Sequence, residues 1–214
     1  MKKIFYVLLA AIIFCSWAIS AFAKEKKVSN KNFSVYSDNK AVDNHFIPSG
    51  WIGDYGDFKL NYQATKKPHS GKTSIEIVYT AKKSQGKGWA GIHWQSSVNN
   101  WGSKKGGFDL TGMVKLSFWA RGAKGGEVIQ KFMVGGIKGI YPDSANVEIG
   151  PVELTNTWKE YTIDLTGKDL SYINGGFGLT FTADSNPNGA TFYLDDIKFI
   201  GELAVKPEAQ NSKK

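Results

Sequence analysis

The sequence predicts an all-β chain folded as an antiparallel two-sheet β-sandwich, and three observations predict it. Apolar residues come in short runs that alternate with polar ones, the period of a half-buried strand. The 24 glycines, with Asn, Asp and Pro, fall mostly between those runs. There are no heptads, no long 3.6-residue periodicity and no internal repeat.

Each run can be read face by face, because successive strand side chains point to opposite sides. In residues 74–79, Ile75, Ile77 and Tyr79 face inward. In residues 114–121, Val114, Leu116, Phe118 and Ala120 face inward, leaving Lys115, Ser117, Trp119 and Arg121 outside. Tyr161, Ile163 and Leu165 form the inner set of residues 159–165, and Trp158 before them reads as core. Phe177, Leu179 and Phe181 point in, with Gly178 and Thr180 out. A last strand runs from Thr191 to Ile200.

The ends of the chain carry a different message. Lys2 and Lys3 precede an apolar run from Ile4 to Ile19, and Ala21-Phe22-Ala23 places small residues before Lys24. That three-part order predicts a secretory signal peptide over residues 1–23, cleaved near Ala23, and a secreted, periplasmic or cell-surface destination with no membrane span after cleavage. The single cysteine, Cys15, leaves with the leader, so stability cannot rest on disulfides. Residues 24–32 and 202–214 are polar and lysine-rich and predict flexible flanks. Residues 33–201 remain as one sandwich domain, long enough to bury its own core. Net charge is +8, falling to +6 when Lys2 and Lys3 are removed. Arg121 is the only arginine, and the lysines are scattered. Nucleic-acid readers rely heavily on arginine, so no nucleic-acid partner is expected.

Residues 89–95 hold the most informative pattern. Ala90, Ile92 and Trp94 make one face, suited to the core. Trp89, Gly91, His93 and Gln95 make the other: a large ring, a gap, an imidazole and an amide. Sugars need that mixture, since their C–H faces pack on aromatic rings while their hydroxyls take hydrogen bonds. An alternative leaves Trp89 beneath a loop and His93 as an ordinary sheet residue. Trp51, Asp54 and Tyr55 lie in one turn-rich segment, Trp101 follows two asparagines, and Tyr141 precedes Pro142-Asp143. Several aromatic loops beside acids and amides suggest a binding rim, although some of the rings can instead plug the ends of a sandwich.

Four stretches carry a family resemblance. They are His69 through Trp94, Leu116-Ser117-Phe118-Trp119-Ala120, Trp158 through Leu165, and Phe192-Tyr193-Leu194-Asp195-Asp196-Ile197-Lys198-Phe199. Together they resemble the galactose-binding-like jelly roll, and are most similar to family-eleven carbohydrate-binding modules. The resemblance spans about residues 33–200 and implies a polysaccharide ligand of β-glucan type on the concave face, without turnover. It also implies structural calcium, with Asp38 and Asp195 or Asp196 as ligands. Adjacent acids on a regular strand point to opposite faces, so both can turn the same way only at a bulge. A plain edge acid with a backbone cap is the other reading. Many such modules are joined to a glycoside hydrolase, for which this sequence has no room.

Two other function classes stay open. A polysaccharide-active enzyme could use paired carboxylates such as Asp54 with Asp57, or Asp195 with Asp196. Against it, there is no G-x-S-x-G elbow, and His45, His69 and His93 lack metal-ligand spacing. An adhesion or assembly protein could turn the same aromatic loops toward a protein partner.

Overall fold

A computed structural model describes residues 29–203 of the chain. The expected signal peptide, residues 24–28 and residues 204–214 lie outside the described residues.

Among the described residues, thirteen strands are connected by turns and one 3-10 turn at Tyr55–Asp57. They are β1 (Ser29–Tyr36), β2 (Ile47–Gly53), β3 (Phe58–Ala64), β4 (Ser74–Tyr79), β5 (Trp89–Gln95), β6 (Met113–Gly122) and β7 (Val128–Ile129). After these come β8 (Lys131–Gly135), β9 (Asn146–Ile149), β10 (Val152–Glu153), β11 (Lys159–Asp164), β12 (Gly175–Thr182) and β13 (Ala190–Leu203). One sheet has the order β11-β6-β13-β4-β3, with β1 pairing the far half of β13. The facing sheet has five strands in the order β2-β5-β12-β8-β9, and β10 with β7 makes a small ribbon. Every strand pair is antiparallel. The all-β two-sheet sandwich is therefore as the alternation predicts. No described helix is long and apolar enough to cross a membrane.

The inward sets follow the same alternation. Ile75, Ile77, Ala90, Ile92, Trp94, Leu116, Phe118, Ala120, Ile163, Phe177, Leu179 and Phe181 are buried. Aromatic rings join the sheets: Phe118 meets Phe132 at 4.6 Å and Phe177 at 5.2 Å between centroids. Phe181 meets Phe192 across the sheets at 5.6 Å, and within the five-stranded sheet Trp94 meets Phe177 at 5.4 Å. Each ring removes about 150–250 Å² from water, which is the main stabilising term in a chain without disulfides.

Three expectations change. Strand β1 starts at Ser29, inside the flank expected to be flexible, and β13 reaches Leu203, past the expected boundary at 201. The two segments pair from Ser29 with Leu203 to Tyr36 with Ile197, so each supplies the other's backbone partners. Their polar composition gives no hint of this, because an edge strand needs no apolar face. Trp158 is not core. It is half-buried on the outer face of the six-stranded sheet, where its indole N–H donates to the Lys67 carbonyl at 3.0 Å.

Candidate functional site

The outer face of the five-stranded sheet gathers part of the expected platform. Register decides which side chains share it. On β5 the outward residues are Trp89, Gly91, His93 and Gln95; their β12 neighbours Thr182, Thr180 and Gly178 stand opposite Trp89, Gly91 and His93. Met133 pairs Gly178, and Lys131 pairs Thr180, extending the face onto β8. Its middle is low. A Cβ at Gly91 would lie 2.8 Å from Thr180 Cγ2, and one at Gly178 would lie 2.8 Å from His93 Nδ1. Both glycines allow a close approach that a side chain would block.

The two ends of this face rise. Trp89 is 37% exposed and borders a cleft of about 660 Å³ whose lining includes Lys83, Gln130, Thr182 and Asp184. Four residues along the strand, about 13 Å at 3.3 Å per residue, His93 lies beneath Trp101. Their rings meet edge to face at 5.6 Å, and Trp101 is 38% exposed. Two half-exposed tryptophans thus flank a shallow row of glycine and threonine.

Trp101 is held by a buried polar network. Ser49 Oγ donates to Gln95 Oε1 at 2.8 Å, and Gln95 Nε2 donates to the Asn100 carbonyl at 3.2 Å. Asn174 Nδ2 donates to the same carbonyl at 2.6 Å, while Asn100 Nδ2 donates to the Lys104 carbonyl at 2.9 Å. The Tyr141 N–H donates to the Gly102 carbonyl at 2.9 Å, placing Tyr141 half-buried beside Trp101. Asp143 caps the same loop pair through the Ile137 N–H at 2.9 Å and the N–H groups of Asn174 and Gly175. Burial is the leading influence on its carboxyl, raising it despite these donors.

Several expected ligand residues are corrected by this geometry. Gln95 is fully buried, and both ends of its amide are used, so it positions the Trp101 loop and offers nothing to a ligand. Asp54 is also fully buried. Its carboxylate accepts from the N–H groups of Gln85, Lys87 and Gly88, at 2.7–3.1 Å, and fastens the loop before Trp89. Asp57 likewise accepts from the Ser84 N–H at 3.2 Å. A carboxylate committed to backbone donors inside a turn is a clamp. Trp51 pairs with Ile92, which puts it on the opposite side of β2 from the platform. A register shift between Pro48 and Gly50 sets that phase. Because β2 is an edge strand, Trp51 stacks on Phe58 at 4.8 Å and keeps its other side exposed. Tyr55 is 51% exposed in the turn after β2.

The expected metal ligands meet at one loop, but not as a metal site. Strand β13 shifts register between Asp195 and Lys198, with Asp196 at φ +49°, so a bulge does turn both acids to residues 69–70. Asp195 accepts from the His69 N–H at 2.9 Å, and Asp196 contacts His69 Nδ1 at 2.7 Å and Ser70 Oγ at 3.0 Å. Asp38 accepts from the Thr73 hydroxyl and from the N–H groups of Lys72 and Asn39. Those donors, Thr73 foremost, hold the Asp38 carboxyl below its usual range. Burial pushes Asp195 up to about 6. Among the described residues, no three His, Cys, Asp or Glu side chains gather as a metal group. Donor hydrogens already occupy these oxygens, so Asp38, Asp195 and Asp196 as arranged do not fit calcium.

Comparison with known proteins places the fold. No family model matches the sequence, and no curated protein does. Solved structures do. A family 30 carbohydrate-binding module matches with a TM-score of 0.56 at 18% identity, over 86% of this chain and 93% of that one. The fold is that of carbohydrate-binding modules. The family 11 carbohydrate-binding module of the Clostridium thermocellum cellulase Lic26A-Cel5E matches at a TM-score of 0.52 and 16% identity, over 85% of this chain and 99% of that one. A family 11 module from Clostridium thermocellum in complex with a β-1,3-1,4-mixed-linked tetrasaccharide matches at 0.53 and 18%, over 83% and 99%. The carbohydrate-binding-module fold agrees with the resemblance read from the sequence.

His93 gives this face a pH signature. Burial pushes its imidazole down to about 4, and its Nδ1 has no hydrogen-bond partner among the described residues. Between about 4 and the ordinary 6.5 the unfolded chain holds more protons at this residue than the folded one. Its contribution is therefore complete above 6.5 and is lost as pH falls toward 4. Asp195 acts oppositely: the folded chain holds the extra proton between 3.8 and about 6, so stability falls as pH rises through that window. An NMR titration should find the His93 ring neutral down to near pH 4. A midpoint near 6.5 would mean that Trp101 does not cover it.

Proposed function

We propose that this chain is an exported, non-catalytic module that binds polysaccharide of β-glucan type across the outer face of its five-stranded sheet. The observation that carries the reading is the pair of half-exposed rings, Trp89 and Trp101, on one face with a glycine- and threonine-lined row between them. A flat sugar ring can lie on an indole, and a chain of such rings needs a shallow, open track. Lys83, Gln130, Thr182 and Asp184 beside Trp89 offer hydrogen-bonding groups for hydroxyls. The mixed-linked glucan tetrasaccharide named with the family 11 structure supports β-glucan as the first ligand to try. Burial of Asp54, Asp57 and Asp195, each bonded to backbone donors, speaks for binding without turnover. Export rests on the leader-like pattern of residues 1–23.

Titration of the protein with soluble mixed-linked β-glucan should give saturable binding and no new reducing ends. Trp89→Ala and Trp101→Ala should each weaken it by about 1–3 kcal/mol with the fold intact. Unchanged affinity in both variants would contradict the proposal, and new reducing ends would make the chain an enzyme. The exported protein should begin at Lys24 on N-terminal sequencing; material still starting at Met1 would refute cleavage.

A further inference from the structure

We propose that the outer face of the six-stranded sheet carries a second binding site, a cleft around Arg121 that takes the carboxylate of an acidic sugar. Arg121 stands opposite Tyr193 in the β6–β13 register. Its guanidinium carbon lies 3.9 Å from the Tyr193 ring centroid and 5.1 Å from that of Trp158. The side chain is only 9% exposed. It donates to the main-chain carbonyls of Lys66 at 3.1 Å and Gly122 at 3.5 Å.

Among the described residues no acid lies within ion-pair distance of this charge. The ion pairs among the described residues are His69 with Asp196, Lys83 with Asp184 and Lys131 with Glu148. On the same face, Glu76 is taken up by the Tyr193 hydroxyl at 2.8 Å. A nearly buried cation without an acid in direct contact is costly, and an anion entering the cleft would relieve that cost.

The surroundings fit such an anion. Arg121 lines a cleft of about 430 Å³ with Lys66, Lys67, Asn156, Thr157 and Trp158. Three cations and no acid line it, and the volume lies within the usual range for small-ligand sites. The Trp158 N–H bonded to the Lys67 carbonyl at 3.0 Å fixes the lysine-bearing loop against β11. A guanidinium and two ammonium groups suit a carboxylate. Asn156, Thr157 and the edge of Trp158 suit the hydroxyls and C–H face of the sugar that bears it. The site lies on the opposite sheet from Trp89, so it stands or falls separately from the β-glucan reading.

Isothermal titration calorimetry of the full chain with trigalacturonate tests the site. Saturable binding is expected, weakening with added salt. The double variant Lys66→Gln/Lys67→Gln, altered only at exposed side chains, should bind about tenfold more weakly, and Arg121→Met should abolish binding. Trp89→Ala should leave it unchanged. Absence of binding would overturn the proposal, as would binding that the lysine variant leaves intact or that Trp89→Ala removes. So would equal, lysine-dependent binding of an oligoglutamate, which would mark a site for protein acids. Mixed-linked β-glucan binding should be the same in the lysine variant whichever result is found, so the two readings fail independently.

Discussion

The aromatic contact between the two sheets is the interaction on which the rest of the molecule depends. Phe118 projects from β6 of the six-stranded sheet and touches Phe132 and Phe177 of the other. Phe181 repeats the bridge toward Phe192. With one cysteine in the whole chain, no intrachain disulfide can share this load. Removing a ring of this kind costs about 3–5 kcal/mol, a large share of the stability of an ordinary domain. Because the inner faces are committed to this packing, the alternate residues of every strand must face outward. Both candidate surfaces are products of that alternation.

On this frame the loops are fixed by buried polar groups. Asp54 clamps the turn before Trp89, Asp143 and Asn100 clamp the loops around Trp101, and Asp195 with Asp38 clamps residues 69–73. Each side chain meets several backbone donors or acceptors that would otherwise be unsatisfied. Such fastening holds exposed tryptophans in place before any ligand arrives, which lowers the ordering cost of binding.

Alternation made the fold legible in the sequence. The inward residues of β4, β5, β6 and β12 could be assigned because period two leaves no other choice. The site was legible only in part. Trp89 and Trp101 were readable as exposed rings, and their sharing one face with Gly178 and Thr180 depends on β12 lying beside β5, a long-range pairing. Asp54 and Gln95 looked like ligand groups because burial depends on loops that arrive from elsewhere in the chain. Trp51 read as part of a turn-rich segment, whereas it lies on edge strand β2, whose register with β5 turns it away from the platform and is invisible without the partner strand. The Arg121 cleft needed the loop of residues 65–73 to fold over the sheet, which no local pattern announces.

Two outer faces with different chemistry follow: one flanked by the indoles of Trp89 and Trp101, the other bearing a cleft lined by Arg121, Lys66 and Lys67. The central claim is that neutral glycan lies on the first. The most direct measurement follows the indole N–H signals of the protein by NMR during titration with a mixed-linked β-glucan oligosaccharide. The account predicts that the Trp89 and Trp101 signals move together and saturate, while those of Trp119 and Trp158 stay where they are. Movement of Trp119 and Trp158 with Trp89 and Trp101 unmoved would contradict it.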